Sequence, residues 1–150
     1  MKIARDRAVT SHIMSKIKAR DTEPERLLGK AMWTLGLRYR KQWKIMGKPD
    51  FAFPGLKIAV FCDGDFWHGN NWRVRKRESF AEEIAEYSPF WQSKIQTNIG
   101  HDEAVNQDLF DKDWIVIRFW ESTIRKNPKA CAKNVLNTVF LVKRITTAKT

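Results

Sequence analysis

Apolar residues recur along this chain at two spacings, and the change from one to the other marks out seven elements. Leu27, Leu28, Ala31, Met32 and Leu35 make a helical stripe; Thr22 with Glu25 three residues on is a capping-box start, and Gly36 supplies the stop. Arg38 to Trp43 predicts a first strand. Gly47-Lys48-Pro49 leads into a second, Phe51-Ala52-Phe53, closed by Pro54-Gly55, where proline presets φ and glycine accepts a positive one. Leu56 to Phe61 predicts a third strand, apolar at every position from Ile58 to Phe61, as in a strand covered on both faces. Polar character returns abruptly at Asp63-Gly64-Asp65. Ser88-Pro89 opens a long helix to about Phe110, with proline in the first turn, where its missing N–H breaks no bond. Trp114 to Trp120 is a fourth strand of nearly continuous β-formers, and Asn127-Pro128 opens a last helix with Val135, Val139 and Val142 inside. The order αβββαβα predicts an α/β fold with a mixed four-stranded sheet flanked by helices, the third and fourth strands forming a parallel crossover unit. Trp33, Trp114 and Trp120 lie where core packing is the default.

Charge adds a partner to that frame. The chain has 28 Lys+Arg against 17 Asp+Glu, a net +11, and backbone phosphates are the commonest partner of such an excess. Lys16, Lys18 and Arg20 lie in a basic N-terminal arm, residues 1–20, ahead of a single domain over 21–145. A second cluster, Arg73, Arg75, Lys76 and Arg77, follows the polar loop directly; both clusters are expected to bind nucleic-acid phosphates, and a solvated face is the duller alternative. The 150 residues, 43% hydrophobic, suit one domain with a full core. Cys62 and Cys131 are too few for a disulfide framework, which suits a reducing compartment. No apolar run approaches the ~18 residues of a membrane span, and no signal-peptide core opens the chain, so no membrane association and a cytoplasmic, nucleoid-associated location are expected.

Candidate chemistry sits where the strands end. Joined strands lie about 5 Å apart, so Asp50 at the start of one and Cys62/Asp63 at the end of the next fall at the same sheet edge. Oxygen ligands converging there suit Mg²⁺, which needs only one or two carboxylates besides water and phosphate oxygens. His68, five residues on from Asp63, can take a proton from an attacking water near neutral pH. Each has a plainer reading: Asp50 as a turn acid, Asp63 as the shaper of an Asp-Gly turn, His68 as a packed ring, and Glu25 as the capping acid. Phe66 and Trp67 interrupt the charged loop with aromatic surface of the kind that wedges between base steps.

The ordered set ARDTEPERLL (19–28), KPDFAF (48–53), IAVFCDGDFWHG (58–69), PFWQSKIQTNIGHD (89–102) and WIVIRFWE (114–121) resembles the very short patch repair endonucleases of the PD-(D/E)xK nuclease superfamily. The likeness spans roughly residues 10–140 and implies a restriction-endonuclease-like core. It implies that Asp50 is the metal-binding aspartate, with the Cys62 backbone carbonyl assisting. His68 then activates water, Glu25 supports the site from its helix, and Asp102 lies near the histidine. It further implies that Phe66, Trp67 and Trp91 wedge into duplex DNA beside a T:G mismatch, and that other repair proteins are partners.

Two departures from the family pattern stand out. Its best-known member pins the active-site loop with a structural zinc, and the corresponding positions here are Asp65, Asn70, Trp72 and Ser122, too poor in thiolate and imidazole for tetrahedral zinc. No structural zinc is expected. Asp63 replaces a histidine, which makes the loop more acidic and adds a third candidate metal ligand beside Asp50 and Cys62. The function that follows is Mg²⁺-dependent phosphodiester hydrolysis, nicking one strand at a T:G mismatch. A homing or restriction-type endonuclease of the same fold, a non-catalytic DNA-binding module and a basic RNA-associated protein remain as alternatives.

Overall fold

The computed structural model describes residues 21–148. Helix α1 (Glu23–Thr34) begins at Thr22, whose side chain accepts from the Glu25 N–H, while Glu25 Oε2 accepts from the Asp21 N–H at 2.8 Å. The capping acid thus reaches one residue beyond the cap and has its carboxyl buried in the process. Gly36, at φ +87°, turns the chain out of the helix, and the Leu37 N–H returns to the Met32 carbonyl, a Schellman closure. Trp33, placed in the core by its position in the sequence, is 52% exposed: the Arg38 guanidinium covers one face of the ring, 3.5 Å from its centroid.

Four strands form one sheet in the order β1-β2-β3-β4. Strand β1 is only Arg40–Lys41, far shorter than residues 38–43, because Gln42 takes a positive φ and leaves the ladder. Strand β2 (Phe51–Phe53) runs antiparallel to β1 and to β3 (Ile58–Asp63). The turn between β2 and β3 takes a 3₁₀ segment, Pro54–Leu56, plus Lys57 in the left-handed region, so β3 starts and ends two residues later than residues 56–61. Asp63 therefore ends the strand and does not begin the loop. Two short helices, α2 (Asn71–Val74) and α3 (Phe80–Ile84), occupy the basic stretch, and the long helix α4 (Pro89–Asp111) carries the chain over to β4 (Ile115–Trp120), parallel to β3. A further short helix, α5 (Glu121–Lys126), precedes α6 (Pro128–Ala148). Among the described residues no helix is long and apolar enough to cross a membrane.

Strand β3 organises both layers because its side chains alternate between them. Ile58 and Val60 pack with Leu28, Met32, Ile124 and Val135 on the α1/α6 side; Ala59 and Phe61 pack with Val105 and Leu109 of α4 on the other. The same alternation puts Cys62 beside the first layer and Asp63 beside the second. At the approach to β2, Gly47 has φ +82°, and a Cβ there would lie 2.5 Å from Val105 Cγ1. Gly47→Ala should therefore destabilise the fold by roughly 2–4 kcal/mol, combining left-handed strain with overpacking. Gly100, in the middle of α4 with open space around it, should gain about 0.5–1 kcal/mol on replacement by alanine. Urea midpoints of the two variants check the opposite signs.

Candidate active site

The last β2–β3 pair is Phe51 with Val60, so β3 outruns its antiparallel neighbour. The Cys62 N–H, left without a ladder partner on that side, is taken by Asp50 Oδ2 at 2.7 Å. A strand residue points its N–H and C=O to the same edge, so the Cys62 carbonyl faces the side on which Asp50 lies. Glu25 reaches this point from α1, and the two carboxyl groups share a hydrogen bond. Burial pushes the Asp50 carboxyl up to about 7; the neighbouring Glu25 charge adds to the rise and the Cys62 N–H opposes it. Burial likewise raises Glu25. Two buried carboxyls beside a backbone carbonyl are a donor set suited to a hard divalent cation, whose charge would offset the burial that raises both groups. Among the described residues no three His, Cys, Asp or Glu side chains form a preformed metal cage, so water and phosphate would supply the remaining ligands of such an ion.

His68 faces Asp50 across a cavity of about 420 Å³ whose wall also includes Glu25, Cys62, Asp102 and Glu121. Its Nδ1 is hydrogen-bonded to Asp102 Oδ2 on α4. A carboxylate only accepts, so Nδ1 carries the hydrogen and Nε2 is left as the basic nitrogen. Desolvation pulls the imidazole pKa down; the Asp102 hydrogen bond and the Asp63 and Asp102 charges outweigh it, and the net position is above the ordinary value.

Asp63 is placed differently from its expected place in the loop beside Asp50. It is 6% exposed on the α4 side of β3, and both its oxygens accept from Arg118 Nη1, at 2.9 and 3.1 Å. Arg118 Nε donates to Asn106, and Asp63 Oδ1 stands 4.0 Å from His68 Nε2. With both oxygens already bonded to a guanidinium on the α4 side of β3, Asp63 is placed as a charge partner of Arg118 and His68. Arg118 is the residue that sequence reasoning missed; a lone cation inside an otherwise apolar β4 was the available signal. Glu121, Lys94 and Asn98 were missed as well: the first two line the cavity, and Asn98 Nδ2 donates to the Trp67 carbonyl.

The loop after β3 is tied down at the positions expected to lack zinc. Asp65 Oδ1 accepts from Asn70 Nδ2 at 2.8 Å and from Ser122 Oγ at 2.7 Å, and Oδ2 accepts from the Ser122 N–H at 2.9 Å. Trp72 is covered by the Arg73 guanidinium.

The expected DNA contacts divide. Lys16, Lys18 and Arg20 lie outside the described residues. Arg75 and Arg77 are neutralised within the protein, Arg75 by Glu83 at 2.9 Å and Arg77 by Glu86 at 2.6 Å and Glu82 at 3.4 Å. Arg73 and Lys76 have no acidic partner among the described residues. Phe66 and Trp67 are partly exposed and rest edge-on against Trp91, at 5.1 and 5.3 Å. Trp91, expected to enter the duplex, is 8% exposed beneath them, so it has no free face to offer; its neighbour Phe90 is 61% exposed.

Comparison with known proteins gives the family. Residues 4–74 match the family model described as DNA mismatch endonuclease Vsr. The chain is 46% identical to the type II nicking enzyme V.NmeDIP of Neisseria meningitidis serogroup C over 127 residues, covering 84% of this chain and 82% of that one. It is 41% identical to the type II nicking enzyme V.HpaIIP of Haemophilus parainfluenzae over 124 residues, 82% and 84% of the two chains. It is 30% identical to the DNA mismatch endonuclease Vsr of Escherichia coli strain K12 over 125 residues, 83% and 76% of the two. With a nuclease-like carboxylate pair, an oriented imidazole and relatives aligned over most of its length, the chain belongs to the Vsr DNA mismatch endonuclease family and is a DNA endonuclease.

Proposed function

We propose that this enzyme nicks one strand of duplex DNA beside a T:G mismatch, with Mg²⁺ at Asp50 and His68 as the general base. The observation that carries the reading is the placement of the Asp50–Glu25 carboxyl pair and the basic nitrogen of His68 in the walls of one cavity. The nicking outcome draws on the names of the V.NmeDIP and V.HpaIIP relatives, and the mismatch on the family and the E. coli relative. The first two names carry no mismatch, which keeps sequence-directed nicking of matched DNA as a second reading.

In this mechanism Asp50 and the Cys62 carbonyl would hold the ion, with Glu25 steadying Asp50. When bound, Mg²⁺ supplies positive charge at the scissile phosphate and the leaving oxygen. His68 Nε2 takes a proton from water as that water attacks phosphorus in line. Asp102 keeps the ring in the required tautomer and, with Asp63, stabilises the imidazolium that forms. Burial raises the Asp63 carboxyl, and Arg118 opposes that rise; the same guanidinium limits how far the acids raise His68.

Purified protein with Mg²⁺ and end-labelled duplexes, matched or carrying one T:G pair in varied sequence, tests the reading directly. One cut strand only in T:G duplexes is expected; equal cutting of matched duplexes would favour the sequence-directed reading. Asp50→Ala should lower the nicking rate at least about a thousandfold while DNA binding persists, because loss of charge stabilisation worth several kcal/mol multiplies tenfold per 1.4 kcal/mol. An active Asp50→Ala enzyme would remove this site from the chemistry.

The pH dependence has a defined sign. His68 must be neutral to accept a proton, and its raised pKa keeps it protonated to higher pH, so kcat/KM should fall as pH drops through a midpoint above the ordinary 6.5. Asp102→Asn removes the main raising interaction, so that midpoint should move down while the plateau rate falls. A profile that keeps its midpoint in Asp102→Asn would assign the limb to another group.

The aromatic cluster gives a paired test. Phe90→Ala should leave the thermal midpoint nearly unchanged, as at an exposed position, yet weaken duplex binding about tenfold through lost base stacking. Trp91→Ala should instead cost roughly 3–5 kcal/mol of stability. Calorimetry and fluorescence-anisotropy titrations on both variants separate contact from support.

A further inference from the structure

The segment from Gly64 to Asn70 carries His68 but belongs to no strand or helix, so nothing periodic fixes the imidazole. Asp102 holds the ring itself and Asn98 holds the Trp67 carbonyl, but the side chain with the most bonds to this loop is Asp65. The Asp65 carboxylate accepts three hydrogen bonds, from Asn70 Nδ2, Ser122 Oγ and the Ser122 N–H, and the Asp65 carbonyl accepts a fourth from the Asn70 N–H at 2.7 Å. Both ends of the six-residue stretch 65–70 therefore close on a single residue, with His68 inside the ring. Asn70 is 3% exposed and its own oxygen accepts from Arg73 at 2.7 Å, so the closing amide is itself held. Ser122 stands four residues after Arg118, which grips Asp63 at the other side of Gly64. The segment leaving β4 thus holds the loop at both Asp63 and Asp65.

We propose that Asp65, docked on Ser122 and Asn70, is a positioning residue: a hydrogen-bonded anchor that sets the His68 ring relative to Asp50 without any bound ion. The inference rests on the reading of His68 as the base, and acts through it. Charge-assisted bonds to a carboxylate are short and directional, and three on one group leave little freedom to the backbone that joins them. Catalysis by an oriented base is sensitive to small displacements, a misplacement of about 1 Å costing on the order of a hundredfold.

The test compares Asp65→Ala, Ser122→Ala, Ser122→Thr and His68→Ala in single-turnover nicking at saturating DNA, with the dissociation constant and thermal midpoint measured for each. Asp65→Ala and Ser122→Ala should lower the nicking rate about 10- to 100-fold with affinity within about threefold of the parent. Ser122→Thr, which keeps both donors, should restore the rate, and the double Asp65→Ala/Ser122→Ala variant should be no slower than Asp65→Ala, since both remove one anchor. Should Asp65→Ala fail to fold, Ser122→Ala alone decides, because it removes one hydroxyl and leaves the carboxylate its other donors. A parent-like rate in Ser122→Ala or Asp65→Ala overturns the anchor. A fully active His68→Ala overturns the reading of His68 as base, and slow anchor variants beside it overturn the anchor too, since they would act through some other group. Unchanged rate with weakened DNA affinity also overturns it.

Discussion

A strand that runs past its neighbour creates unpaired backbone groups, and this molecule is organised around one such pair at Cys62. Buried N–H groups are almost never left unsatisfied. Here the partner is a side chain, Asp50, and the bond between them brings a carboxylate to the edge of a sheet whose central strands are apolar from Phe51 to Phe53 and from Ile58 to Phe61. The cost of placing a charge there appears as the raised Asp50 pKa, and the second carboxyl from α1 intensifies it. Everything else in the site faces that strained electrostatic point: His68 across the cavity, Asp102 behind it, and Asp63 with Arg118 on the opposite face of the same strand.

Local pattern made much of this legible. Thr22 and Gly36 bound α1 as their chemistry requires, Ser88 caps the long helix, and the apolar run in β3 is buried on both sides. That Asp50 and His68 share one cavity was legible because a strand start and the loop after the next strand's end meet at the same sheet edge. The misjudged positions depend on partners far along the chain. Asp63 looked like a loop acid, since nothing local reveals that Arg118, 55 residues away, lies on the neighbouring parallel strand two residues before Trp120, the register partner of Asp63, and reaches it with its guanidinium. Trp91 and Phe90 are adjacent, and only the tertiary contact with Phe66 and Trp67 decides which one is buried. Gln42 cut β1 short through a backbone conformation that its residue type does not announce.

Two solutions to loop fixation stand side by side in this fold. Asp63 is held by a cation and Asp65 by neutral donors, with only Gly64 between them. A guanidinium favours the charged form of its carboxylate against burial and so contributes field as well as position, which suits a group 4.0 Å from a basic nitrogen. Hydroxyl and amide donors contribute position with little net charge, which suits the group farther from the reacting atoms. The same short segment of β4 and α5 supplies both, so the register between β3 and β4 fixes the separation of the two attachment points.

The ion pairs of Arg75 and Arg77 with α3 and its following turn bear on thermodynamics of another kind. A cation already matched by Glu83 or Glu86 carries no condensed anion to give up, and exchanging a glutamate for a DNA phosphate frees the carboxylate to gather a cation from solution. Such an exchange largely cancels the counterion release that normally drives association. The formal charge of +11 therefore overstates how many small ions leave when the duplex arrives, and the protein's hold on DNA should weaken less steeply with salt than its charge count alone implies.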